Sequence, residues 1–183
     1  PRYTGLNIAT LRWSPDPALQ VVAGRQAVKP GNERHGSNDG FRQLPQLFDG
    51  ASLRWTPFDN SALYLGHFAQ MRTKFGPIQK ANLSVGECAW NPSEGLSATA
   101  FVIRHTPPAA FSNTFLYGVA DYANVTAGIT LDANTTWGEN RLSATAELTR
   151  QRATASGSPL VAANHYRIGS AFSRAGWTLR ADH

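Results

Sequence analysis

Only one cysteine, Cys88, and one methionine, Met71, occur in the 183 residues. A lone thiol cannot close an internal disulfide, and a lone thioether excludes a Met-rich adaptive surface. No stretch approaches the roughly 18 consecutive apolar residues that a spanning helix needs, so a helical membrane protein is excluded. Acidic residues number 12 against 17 Lys and Arg, most of them Arg, for a net charge of +5. That excess favours anionic partners, and charge alone leaves nucleic acid, acidic solutes and lipopolysaccharide open.

Catalytic motifs are missing as well. The histidines His35, His67, His105, His165 and His183 are scattered. His-Glu-x-x-His, Gly-x-Ser-x-Gly, clustered Cys and His at metal spacing and a phosphate-cradling glycine loop are all absent. No enzyme activity, metal or other cofactor is expected. The polar run from Asn32 to Asp39 lacks EF-hand spacing and reads as a plain loop. Arg12-Trp13 and Arg54-Trp55 put cation and ring on opposite faces of a strand, which argues against a nucleic-acid platform with both on one face.

What the chain does have is period-two alternation in about ten strand-like runs. They cover Gly5 to Trp13, Leu19 to Ala27, Leu47 to Thr56, Ala62 to Met71, Ala81 to Trp90, Leu96 to His105, Ala123 to Ala133, Arg141 to Arg152, His165 to Ser173 and Trp177 to Asp182. Connections alternate in length. Ser14 to Ala18, Pro57 to Asn60, Asn91 to Gly95, Thr135 to Asn140 and Arg174 to Gly176 are short and carry turn residues. Val28 to Gln46, Arg72 to Lys80, Thr106 to Tyr122 and Ala153 to Asn164 are long. Tight turns at one end and long loops at the other are the plan of an antiparallel up-and-down transmembrane β-barrel, with periplasmic turns and extracellular loops.

The faces fit that plan. Val125, Ala127, Ile129 and Leu131 oppose Thr126, Gly128, Thr130 and Asp132, and Leu142 to Leu148 repeats the pattern against Ser143, Thr145, Glu147 and Thr149. A soluble sandwich would put large apolar side chains on its inner face, whereas a row of Ser, Thr, Glu and Gln asks for a hydrated lumen. Trp13, Trp55, Trp90, Trp137 and Trp177 all lie in or beside short turns, which predicts one interfacial girdle. Pro1 stands where a start methionine would, no signal-peptide pattern follows, and the last residues stop inside a strand pattern. Residues 1–183 are therefore expected to form a single barrel domain that is an incomplete part of a larger barrel.

Gly24-Arg25-Gln26 closing a strand, Asn32-Glu33-Arg34 and Phe41-Arg42-Gln43 in the next loop, and Phe48-Asp49-Gly50-Ala51 opening the following strand resemble the alginate export family of outer-membrane porins. The resemblance covers about Leu19 to Gly76 and is only architectural beyond it. Gly50 stands where that family often has Ala, and Phe41 where Trp is frequent. The resemblance implies that Arg25, Arg34 and Arg42 line or constrict a cationic pore, with Gln26 and Gln43 beside them, while Glu33 and Asp49 hold the arginines by ion pairing. Arg54, inside a strand, joins this lining because exposure to lipid at mid-depth would cost an arginine roughly 2 to 4 kcal/mol. The expectation is an outer-membrane channel of a Gram-negative bacterium, embedded in lipid and lipopolysaccharide, passing an alginate-like polysaccharide with periplasmic export partners. A general porin for small nutrients or organic acids, and a β-sheet module binding acidic glycans, are the alternatives.

Overall fold

The computed structural model describes residues 8–28, 47–72, 78–106, 123–154 and 162–182. Among these every regular element is a strand, ten in all: β1 (Ala9–Asp16), β2 (Leu19–Gln26), β3 (Leu47–Phe58), β4 (Ser61–Arg72), β5 (Ile78–Ser93), β6 (Leu96–Thr106), β7 (Asn124–Trp137), β8 (Asn140–Ala153), β9 (Ala163–Arg174) and β10 (Trp177–Asp182). They form one sheet in chain order, each strand antiparallel to the next. Among the described residues β1 and β10 are the two edges, so the sheet is an open section of barrel wall. Each expected strand is present; β5 and β7 run three and four residues further at their turn ends than the alternation predicts because the turns are tighter, and β5 also begins three residues earlier.

All five short connections contract to two residues. At Ala175-Gly176 both residues have positive φ, 46° and 85°, the pairing of a type I′ turn, whose twist matches that of its flanking strands. At Pro17-Ala18 the carboxylate of Asp16 accepts the Ala18 N–H at 2.6 Å and holds the turn closed.

Burial is inverted relative to a soluble sheet over β7 and β8. Thr126, Glu147 and Thr149 are 4%, 4% and 2% exposed, whereas Ile129, Leu131 and Leu148 are 41%, 46% and 48% exposed. The polar face is covered and the apolar face is open, the arrangement lipid demands of a barrel wall. On the open face of every hairpin, beside the short turn, stands one of the five tryptophans, forming the girdle that the sequence predicts.

The covered face departs from expectation over β3 to β6. Instead of a uniformly small polar surface it carries a cluster of Phe48, Phe68, Met71, Leu83, Val85, Phe101 and Ile103. Glycine explains how such rings fit against a wall. Phe68 stands opposite Gly50 and Phe101 opposite Gly128, and a Cβ on those glycines would come within 2.9 Å and 2.7 Å of the respective rings. The Phe101 ring therefore lies against Gly128 of the neighbouring strand, and the Phe68 ring lies between Gly50 of β3 and Gly66 of its own strand.

Candidate functional site

On the covered face of β1 to β5 lies an open cavity of about 430 Å³. Register builds its wall: Gln20 of β2 faces Arg54 of β3, Arg54 faces Tyr64 of β4, and Tyr64 faces Glu87 of β5. Arg12 of β1 stands opposite Val22 on the same wall. Alternation dictates these placements, because Trp13 and Trp55 occupy the open face and their chain neighbours Arg12 and Arg54 must point the other way. Both arginines are exposed to the cavity, and among the described residues neither forms an ion pair.

At the rim, Gln26 is buried. Its amide oxygen accepts the Ser52 hydroxyl at 2.8 Å, and its amide nitrogen donates to the Val22 carbonyl at 3.3 Å. Both sides of this side chain are thus engaged, which makes it a brace for the wall between β2 and β3. A second, smaller cavity of about 210 Å³ lies on the covered face of β8 to β10 and includes Arg167 and Arg180. Arg167 donates to Asp182 at 3.0 Å, while among the described residues Arg180 and the nearby Arg141 have no ion-pair partner. Among the described residues, the covered face therefore presents guanidinium groups without an ion-pair partner at both ends of the sheet. Such a surface concentrates anions and can grip a carboxylate through two parallel N–H···O bonds.

The arginine singled out by the sequence motif is elsewhere. Arg25 shares the open face with Ala23 and stands opposite Asp49, which accepts from its Nε at 2.7 Å and from its Nη2 at 2.8 Å. The ion pair expected of Asp49 is present. The expected lumen position of Arg25 is not, because it lies two positions from Ala23 and four from Val21, which is directly opposite Trp13 on the open face. Arg34, Arg42, Gln43 and Glu33 lie outside the described residues. Arg54 and Gln26 are on the cavity wall. Arg12, Gln20, Tyr64, Glu87, Arg141 and Arg180 were not singled out as lining, although their parity with the tryptophans marks the face.

No protein-family model matches the chain, and no curated protein matches it. Solved structures do. The sheet overlays OccAB4 of Acinetobacter baumannii with a TM-score of 0.70 at 11% identity, over 93% of this chain and 42% of that one. OccK2 (OpdF) of Pseudomonas aeruginosa, solved in complex with glucuronate, matches with a TM-score of 0.65 at 17% identity, over 90% of this chain and 44% of that one. OpdK of Pseudomonas aeruginosa, solved with vanillate, gives 0.63 at 15% identity, over 89% and 42%. The chain thus spans less than half the length of these neighbours. They are outer-membrane porins, so the fold is that of a section of porin barrel, and the finer resemblance to alginate exporters finds no support among them.

Proposed function

We propose that this chain is part of a larger, single-domain β-barrel in a Gram-negative outer membrane, a non-enzymatic channel for small organic anions. The observation that carries the reading is the pair of arginines, Arg12 and Arg54, which form no ion pair among the described residues, on a cavity wall that also offers Gln20 and Tyr64 as neutral hydrogen-bonding groups. A carboxylate entering this space meets two guanidinium forks, while the hydroxyl groups of a sugar acid or phenolic acid find amide and phenol partners. Glu87, opposite Tyr64, sets one negative charge beside the cations and keeps the anion from binding too tightly to leave, as conduction requires. No cofactor or export partner is needed for movement down a gradient.

Two neighbours support the solute class, since one was solved with glucuronate and another with vanillate, each a small carboxylate. An alginate-like polysaccharide is the weaker reading, because the motif that suggested it supplies Arg25 to the open face and not to the cavity. The test is competition in planar bilayers containing the full-length protein. Glucuronate and vanillate should reduce chloride current at concentrations where a neutral hexose has no effect, and equal effects from acid and neutral sugar would sink the proposal.

A further inference from the structure

The open face carries a second basic feature, unrelated to the cavity. Arg104 of β6 and Arg152 of β8 both stand directly opposite Val125 of β7, one on each side, and Arg150 stands opposite Ala127, the next residue on the same face. Strands about 4.8 Å apart and residues rising about 3.3 Å each put Arg104 and Arg152 roughly 10 Å apart, with Arg150 about 7 Å from Arg152. All three are exposed, and among the described residues none forms an ion pair, in contrast to Arg25, whose charge Asp49 neutralises. Among the described residues, the short side chains of Val125 and Ala127 lie between them, so the three guanidinium groups ring a shallow apolar floor.

Their height in the wall is informative. From Trp137 of the girdle to Ala127 is ten residues along β7, or roughly 25 Å normal to the membrane for a strand tilted by about 40°. That is the height of the apolar band of a barrel, and Ile129, Leu131, Leu142, Leu148 and Ile168 fill it on this face. Tyr166, 67% exposed and opposite Leu148, sits just below Arg150 as an aromatic marker of the far boundary. The three arginines are therefore at the edge of the hydrocarbon on the side of the long loops, which in outer-membrane barrels is the cell exterior. The lipid there is a phosphorylated glycolipid.

We propose that Arg104, Arg150 and Arg152 form a binding site for the phosphate groups of lipopolysaccharide on the lipid-facing wall. The inference rests on the outer-membrane placement proposed above but not on the solute that the channel passes. Three charge-assisted contacts around a small apolar floor suit a headgroup whose phosphates adjoin acyl chains. An arginine left in mid-membrane would be expelled, whereas one at this boundary gains a partner.

The experiment is native mass spectrometry of the full-length protein with bisphosphorylated lipid A and with the same lipid after removal of its phosphates. The wild-type protein should bind the phosphorylated lipid at least tenfold more tightly, and the triple variant Arg104→Gln, Arg150→Gln, Arg152→Gln should lose that preference. Heat-modifiable migration on gels establishes that the variant is folded. If it does not fold, the single substitutions carry the test, each losing two- to fourfold. Equal binding of both lipids by the wild type, or full preference in a folded variant, would overturn the site. Bilayer conductance of the same samples separates the two proposals, because loss of anion selectivity would remove the channel reading and leave the lipid preference standing.

Discussion

Arg25 and Asp49 are direct cross-strand partners on the open face of β2 and β3, joined by two short hydrogen bonds between guanidinium and carboxylate. Their side chains are only 21% and 26% exposed. Such a pair fixes the register of two strands and has no reach to the cavity. Removing the carboxylate with Asp49→Asn takes away the charge that faces a half-buried cation across the strands, which should destabilise the barrel by about 1 to 3 kcal/mol. Urea unfolding of the full-length protein in detergent micelles or vesicles would read this, with ion selectivity unchanged.

The packing of Phe101 against Gly128 gives a second expectation. A Cβ at Gly128 would lie 2.7 Å from the ring, 2.8 Å from the Thr149 hydroxyl and 2.9 Å from the Leu148 carbonyl. Because backbone cannot retreat, Gly128→Ala should cost about 1 to 3 kcal/mol through overpacking. The paired variant Gly128→Ala, Phe101→Leu should recover part of that loss, and a double-mutant cycle by urea unfolding measures the coupling.

Ala175 offers a gain. Its φ of 46° at the first position of a type I′ turn is unfavourable for a residue with a Cβ and no polar group to compensate. Replacing it in Ala175→Asn produces the preferred Asn-Gly sequence and should raise stability by about 0.5 to 1 kcal/mol. A higher midpoint of thermal unfolding is the readout.

Membrane placement has its own signature. The five tryptophans on the open face beside short turns should be quenched most strongly by lipid labels near the headgroups. A fluorophore attached at Leu131→Cys should instead be quenched by labels near the acyl-chain ends. An added Arg at the same position should cost roughly 2 to 4 kcal/mol, as it would face hydrocarbon at mid-depth.

Much of this architecture was legible in the sequence because a strand's period is two and its turns are marked. Trp55 declares the open face of β3, so Leu53, Ala51 and Asp49 follow it and Arg54 opposes it. The same parity, carried through Val21 opposite Trp13, puts Arg25 on the open face, and here the short motifs around Arg25 outweighed the alternation that contradicted them. The aromatic cluster on the covered face was hidden for another reason. Phe68 and Phe101 pack against the covered face because Gly50 and Gly128 on adjacent strands, and Gly66 beside Phe68, make room, and cross-strand partners are set by register, which local patterning does not specify. Arg141 and Arg180 were overlooked for lack of a motif, although Trp137 and Trp177 fix their faces.

The central claim is that the lumen selects anions through Arg12 and Arg54 and not through Arg25. It is tested most directly by the reversal potential of the full-length protein in a planar bilayer under a salt gradient, for wild type, Arg12→Gln with Arg54→Gln, and Arg25→Gln. The account predicts anion selectivity in the wild type, a marked fall in the cavity double variant, and no change in Arg25→Gln. Selectivity that survives the double variant and disappears with Arg25→Gln would contradict it.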